Sequence, residues 1–225
     1  MTRGIVCLLG LALGAAAGVG VLYLNPLTEP RPPTFAEADR TFSYRFPESD
    51  ALLFTHEGDG RLPVLPRGAE KLWENTITGA ALLAVALHDE GGKAAVATRL
   101  SRPSPRTDFL LEGALLSDDW LITVPGEGSL FVRAENNLWP VVKDGVVPVW
   151  YLKRPWRGPT EYRPTEGPHP AGVAVVRGAS GRFAGIEGTA VERYELERFG
   201  ASGPEALTGE LRLRLPQSLT VAEQQ

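Results

Sequence analysis

Glu192 and Glu135 are the two carboxylates of this chain whose surroundings could give them chemistry. Glu192 lies in an alternating stretch, 182–196, whose one face carries Ala184, Ile186, Gly188, Ala190, Glu192, Tyr194 and Leu196. A carboxylate on such a face either points inward or is slipped into water by a bulge. Pointing inward, it loses water, its charged form is disfavoured and its pKa rises, which makes it a general-acid candidate. A second carboxylate, Glu135, precedes Asn136 and Asn137 at the end of another strand-like run. A carboxylate beside amides can hydrogen-bond the polar head of a ligand or tune a proton transfer, or it simply caps a loop. Glu112 is flanked by apolar residues too, without a settled face. Trp139, Trp150, Tyr151 and Trp156 fall close together. Their rings combine a broad apolar surface with a hydrogen-bonding edge, suited to an aromatic or lipid-like ligand; equally, such rings plug the end of a core. The candidate catalytic residues are therefore Glu135 and Glu192. The candidate ligand-binding residues are Asn136, Trp139, Trp150, Tyr151, Trp156 and Tyr194.

Other chemistries find no footing. Gly126-Glu127-Gly128 is not followed by the Lys and Ser/Thr of a phosphate loop. Ser180 sits in Gly178-Ala179-Ser180-Gly181, which is not a nucleophile elbow. His56, His88 and His169 are far apart and lack a metal-ligand spacing, so neither a metal nor a cofactor is expected. The single cysteine, Cys7, lies inside an apolar run and reads as a small filler. A formal net charge of −4 argues against a general nucleic-acid binder, which needs a concentrated basic surface.

The elements that position these residues begin at a membrane. Residues 5–24 are apolar or small throughout, and Arg3 is the only charge before them. Roughly 20 helical residues cross a bilayer core of about 30 Å. Arg3 as the charged start and Ala15-Ala16-Ala17 as a cut site would make a cleaved signal, but the run stays apolar through Val19, Val21, Leu22 and Leu24. The expected arrangement is a single-pass inner-membrane anchor with the body in the periplasm. The alternative is a secreted or periplasmic protein after cleavage. Gly10, Gly14 and Gly18 share one helix face, a spacing that lets two such helices approach.

Beyond residues 1–25, the anchor or signal, residues 26–76 read as a proline-rich spacer and packing arm. Phe42, Tyr44 and Phe46 alternate there with Ser43 and Arg45, a strand or an arm, and 69–75 reads as a short helix. Residues 77–225 read as a succession of strands. The run 77–88 meets the turn signal Asp89-Glu90-Gly91-Gly92 and then 93–100, which sets Ala94, Val96, Thr98 and Leu100 against Lys93, Ala95, Ala97 and Arg99. Further strands are expected at 108–116, 120–124, 129–135 and 146–152, then a loop or lid over 154–170. The closing strands are expected at 171–176, 182–196 and 207–215. Pro140 and Pro148 restrict pairing around 138–152 to an edge or bulge. The expected fold is mainly β: seven or more antiparallel strands closed into a barrel, since closure removes exposed edges.

The stretch Gly172-Val173-Ala174-Val175-Val176-Arg177-Gly178-Ala179-Ser180-Gly181-Arg182-Phe183-Ala184-Gly185-Ile186-Glu187-Gly188-Thr189-Ala190 resembles a segment of the allene oxide cyclase and dirigent superfamily. It looks like that group's strand, glycine-rich turn and G-x-F/Y-x-x-A/G-x-G strand. The resemblance implies an eight-stranded antiparallel barrel, commonly trimeric, that holds small apolar or phenolic molecules. Some members are cyclases that shape a reactive substrate; dirigent proteins orient coupling radicals without oxidising them. The expected function is thus a membrane-tethered barrel outside the cytoplasm that binds a small apolar or aromatic molecule. A cofactor-independent cyclase or isomerase and an oligomeric interaction domain are the alternatives. The expected partners are that ligand, the lipid bilayer through residues 5–24, and further copies of the chain in a homo-oligomer.

Overall fold

The structure is a computed structural model that describes residues 2–31, 33, 35, 38–46, 52–56, 69–72, 80–92, 94–201 and 203–216. In chain order these form α1 (Thr2–Leu24), β1 (Arg40–Phe46), β2 (Leu52–His56), β3 (Ala69–Leu72), β4 (Ala81–Asp89), β5 (Ala94–Pro103), β6 (Leu115–Val124) and β7 (Gly128–Asn137). Then follow α2 (Trp139–Val141), which continues in wider π-type turns over Val142–Tyr151, and β8 (Thr160–Tyr162), β9 (Thr165–Gly167), β10 (Ala174–Gly181), β11 (Glu187–Gly200) and β12 (Gly203–Arg214).

Eight antiparallel strands close into a barrel in the order β1-β12-β11-β10-β7-β6-β5-β4, and β4 returns to β1. Each of the eight strands pairs with a neighbour on both sides, so that closure replaces exposed edges. The β1–β4 seam is short, with only Phe42↔Asp89 and Ser43↔His88 in register. Beyond it β4 pairs with β2, and β3 lies parallel to β2.

The lumen is solid over most of its length. Phe42, Tyr44 and Trp120 fill it, and small residues face them: Ala95, Ala97, Ala134, Ala174 and Ala190. Gly209 is paired with Tyr44 on one side and Tyr194 on the other; a Cβ there would come within 2.1 Å of the Tyr44 ring. Large rings against small neighbours give the density of a packed interior. One end is closed by short turns and by Arg40, whose guanidinium reaches Glu127 at 2.8 Å and Asp89 at 3.0 Å. The other end carries the long connections.

Several elements differ from expectation. Residues 40–46, strand or arm by sequence, are a barrel strand. On β5 the inward face is Ala95 and Ala97, while Val96 is 61% exposed. The oilier face turns outward, and the small side chains lie against the rings that fill the lumen. Residues 146–151 are helical, against the strand expected over 146–152: no barrel edge is left for them to extend, and Pro148 cannot donate to a ladder. The strand expected at 108–116 starts only at Leu115. Before it, the Asp108 carbonyl accepts from the amides of Glu112 at 2.8 Å and Gly113 at 2.6 Å, and its carboxylate accepts from Leu110 at 2.8 Å. This side chain offers the backbone a turn in place of a strand. Ala69–Leu72 is a strand, against the helix expected at 69–75; residues 73–79, 57–68 and 47–51 lie outside the described residues.

The glycine-rich segment does form a hairpin. β10 pairs with β11 through Ala174↔Ala190 and Val176↔Gly188, although the second strand begins at Glu187 and a broader turn precedes it. Gly181 has φ +60° there, and a Cβ on it would meet the Glu127 carbonyl oxygen at 2.1 Å.

Candidate functional site

Trp120 marks a change of chemistry inside the barrel. One step toward the loop-rich end, the inward positions become polar on four strands. β5 passes from Ala97 to Arg99 and Ser101, β6 from Trp120 to Asp118, β7 from Ala134 to Asn136, and β11 from Ala190 to Glu192. The pleat alone dictates this: each is two residues beyond an apolar lumen position on the same face.

Glu192 is the hub and is 2% exposed. Its Oε1 accepts from the Tyr44 hydroxyl at 2.5 Å and from Arg99 Nη1 at 3.0 Å. Its Oε2 accepts from Asn136 Nδ2 at 2.7 Å. The same amide nitrogen donates to Asp118 Oδ2 at 2.6 Å, so one amide bridges two buried carboxylates. Ser101 donates to the other Asp118 oxygen. Thr165 of β9 donates to Asn136 Oδ1 at 2.9 Å and accepts from the Glu192 amide at 2.9 Å, fixing which way the Asn136 amide points. Arg99 lies over the Trp120 ring, 5.1 Å from its centroid. Its Nε is buried and has no hydrogen-bond partner among the described residues.

Burial pushes the Glu192 carboxyl above the usual carboxylate range; Arg99 pulls it back, and Asp118 pushes it further up. Burial raises the Tyr44 and Tyr194 phenols well above their ordinary value, and Glu192 adds to both. For Arg99, burial works toward a lower value, but Glu192 and Asp118 outweigh it and hold the guanidinium charged. The layer therefore sets one fixed cation and two carboxylates in a dry place, a setting in which one carboxylate keeps its proton readily.

This layer opens on a cavity of about 150 Å³. Tyr44, Arg99, Asp118, Asn136, Glu192 and Tyr194 stand on its polar side; Leu116, Leu138, Val141, Leu196 and Leu207 stand on its apolar side. Leu138 and Val141 belong to the start of the helical cap. The cap is held by a second apolar cluster of Tyr162, Tyr194, Leu196 and Phe199. Trp150 and Trp156 pack on Phe199 with centroids 5.3 Å and 6.0 Å away. Their indole nitrogens donate to the carbonyls of Gly200 and Glu197.

The sequence-derived candidates are thus divided. Glu192, Asn136 and Tyr194 meet at the cavity. Trp150 and Trp156 brace the cap and do not line it. Trp139 packs on Phe109 at 5.9 Å, and Tyr151 is 74% exposed. Glu135 faces the outside of the wall, opposite its neighbour Asn136. It accepts from Ser104 at 2.5 Å and from Arg106 at 2.5 Å, and Arg106 also reaches Glu112 at 3.1 Å. That set pins the 104–113 loop to β7. Sequence reasoning missed Tyr44, Arg99, Ser101, Asp118 and Thr165. The readable signal was parity: Asp118 alternates with Trp120, Ile122 and Val124. Among the described residues, no group of His, Cys, Asp and Glu could hold a metal ion.

Comparison with protein-family models, with curated proteins and with solved structures gives no match. The eight-stranded antiparallel barrel stands on the fold itself.

Proposed function

We propose that this protein binds a small aromatic or apolar molecule carrying one polar group, in the cavity between Glu192 and the helical cap. The observation that carries this reading is the placement of the polar layer. Burying paired charges is often no more stabilising than filling the same space with apolar side chains, and here they border a cavity. A cavity of about 150 Å³ takes roughly one benzene-sized ring. The ring would rest on Leu138, Val141, Leu196 and Leu207, with its polar group toward Arg99 and Glu192. The apolar helix, whose Leu11, Leu13, Val19, Val21 and Leu24 all face outward, supports a membrane tether at residues 5–24. In this reading the helix stays in the inner membrane and the body lies in the periplasm; a secreted or periplasmic form after cleavage is the alternative. The hairpin at 172–190 and the closed barrel support kinship with the allene oxide cyclase and dirigent superfamily.

The test is a screen of single-ring phenols, indoles and carboxylic acids against full-length protein in nanodiscs, read by saturation-transfer NMR. Saturable binding that weakens in Leu207→Trp, which fills the cavity, is the expected result. Binding unchanged by that substitution, or none at all, would remove the reading.

A cofactor-independent cyclase or isomerase is the second reading. The raised Glu192 pKa and the 2.5 Å bond from Tyr44 favour it, since a positioned acid beside an oriented substrate is the main requirement. Here Glu192→Gln is expected to leave ligand binding within a few-fold while abolishing turnover. Loss of both together would favour a binding role alone.

A further inference from the structure

We infer that the loop tip Phe109-Leu110-Leu111, together with Leu27, is a second membrane contact: it inserts into the bilayer interface beside the exit of α1 and holds the loop-rich end of the barrel against the lipid. This rests on the reading of α1 as a membrane anchor. Phe109, Leu110, Leu111 and Leu27 are between 50% and 60% exposed, although the barrel interior has its own filling. Consecutive large apolar side chains at a loop tip are costly in water and mark a surface that meets something else.

The loop is built to present them. Asp108 gathers the backbone amides of the turn, Gly113 takes a positive φ of +87°, and Arg106 ties the loop base to Glu135 and Glu112. These contacts tie down its backbone and its base, and its apolar side chains turn out. What they meet is set by the chain itself. Asn25, the first residue after α1, donates from its side-chain amide to the Leu110 carbonyl. Tyr23 donates to the Lys143 carbonyl of the cap at 3.0 Å, and Lys143 pairs with Glu29. Asn25 and Tyr23 are the residues where a spanning helix leaves the hydrocarbon, the depth at which tyrosine is favoured. A loop hydrogen-bonded to Asn25 is at the same depth. Its apolar side chains therefore lie where interfacial segments bury theirs.

The test uses full-length protein with Cys7→Ser, reconstituted in phosphatidylcholine–phosphatidylglycerol vesicles. An environment-sensitive fluorophore is placed on Leu111→Cys or, as the reference, on Glu90→Cys in the turn at the far end of the barrel. Thermal melts confirm that both variants fold. The expected result is that the label at 111 emits to the blue of that at 90, is quenched several-fold less by aqueous iodide, and is quenched by spin-labelled lipid while that at 90 is not. A label at 111 as open to iodide as that at 90, on protein that floats with the vesicles and resists carbonate, overturns the second contact and leaves the anchor standing. A label shielded from both iodide and spin-labelled lipid overturns it in favour of a second copy of this chain. Protein that does not float with the vesicles overturns the anchor reading and the inference together.

Discussion

Glu192 shares its surroundings with Arg99, Tyr44, Tyr194, Asp118 and Asn136, and this sets a sign for the pH dependence of stability. Its pKa in the folded chain lies above the usual 4.5. The native state therefore holds a proton that the unfolded state has released, at any pH between those two values. The stability it contributes is full below the usual carboxylate value and is lost as pH rises through the raised one. Thermal melts across this range are expected to show the midpoint falling as pH rises, with that component of the slope absent in Glu192→Gln. Asp118→Asn removes a negative neighbour, lowers the Glu192 pKa and is expected to move the transition toward lower pH. A slope unchanged by both substitutions would show that Glu192 is not the titrating group. The sequence disclosed Glu192 because it interrupts a long apolar alternation. It concealed Arg99, which shares a face with Lys93 and two alanines and so reads as the wet side. The alanine side is the inner one because Phe42, Tyr44 and Trp120 already fill the lumen, which the alternation of this strand alone does not show.

At the scale of elements, the hairpin between β10 and β11 depends on Gly181. Its positive φ carries a strain of about 1–3 kcal/mol for a branched side chain, and the Glu127 carbonyl stands where the Cβ would be. Gly181→Val is expected to lower stability by at least that amount in denaturant titration, and an unchanged midpoint would contradict the geometry. The cap depends on Phe199, against which Trp150, Trp156 and Gly145 all pack. Phe199→Ala is expected to cost about 3–5 kcal/mol, the usual range for losing a buried ring. It should also leave the cap amides exchanging faster with solvent than those of β6 and β7. Hairpins were legible because turn residues and alternation are local. The cap was not. Residues 146–152 have the composition of a strand, and they coil because the ring of strands is already complete without them. The same holds for 108–114, where Asp108 overrides the apolar run that follows it.

For the whole molecule, α1 and the barrel make separate claims that fractionation can test. Full-length protein is expected to sediment with membranes, resist carbonate extraction and retain Met1; a soluble form beginning near Gly18 would mean the helix is a cleaved signal. The outer faces of β5 and β6 leave Val96 and Leu121 exposed, and these would be the contact of a homo-oligomer. Light scattering is expected to return a mass above that of one chain, and a strict monomer would remove that surface from consideration. The barrel class was legible from the count and spacing of alternating runs. The identity of the neighbours was not, because β1 joins β12 across almost the whole sequence. That pairing has a consequence for synthesis. β1 is among the earliest parts of the body to be made, and its main partner is the last of the described strands. At roughly 5–20 residues per second, the wait between them is on the order of ten seconds or more. Throughout that interval the nascent chain carries unpaired strand edges, and a ribosome that stalls before residue 203 leaves them permanently open to whatever surveillance acts there.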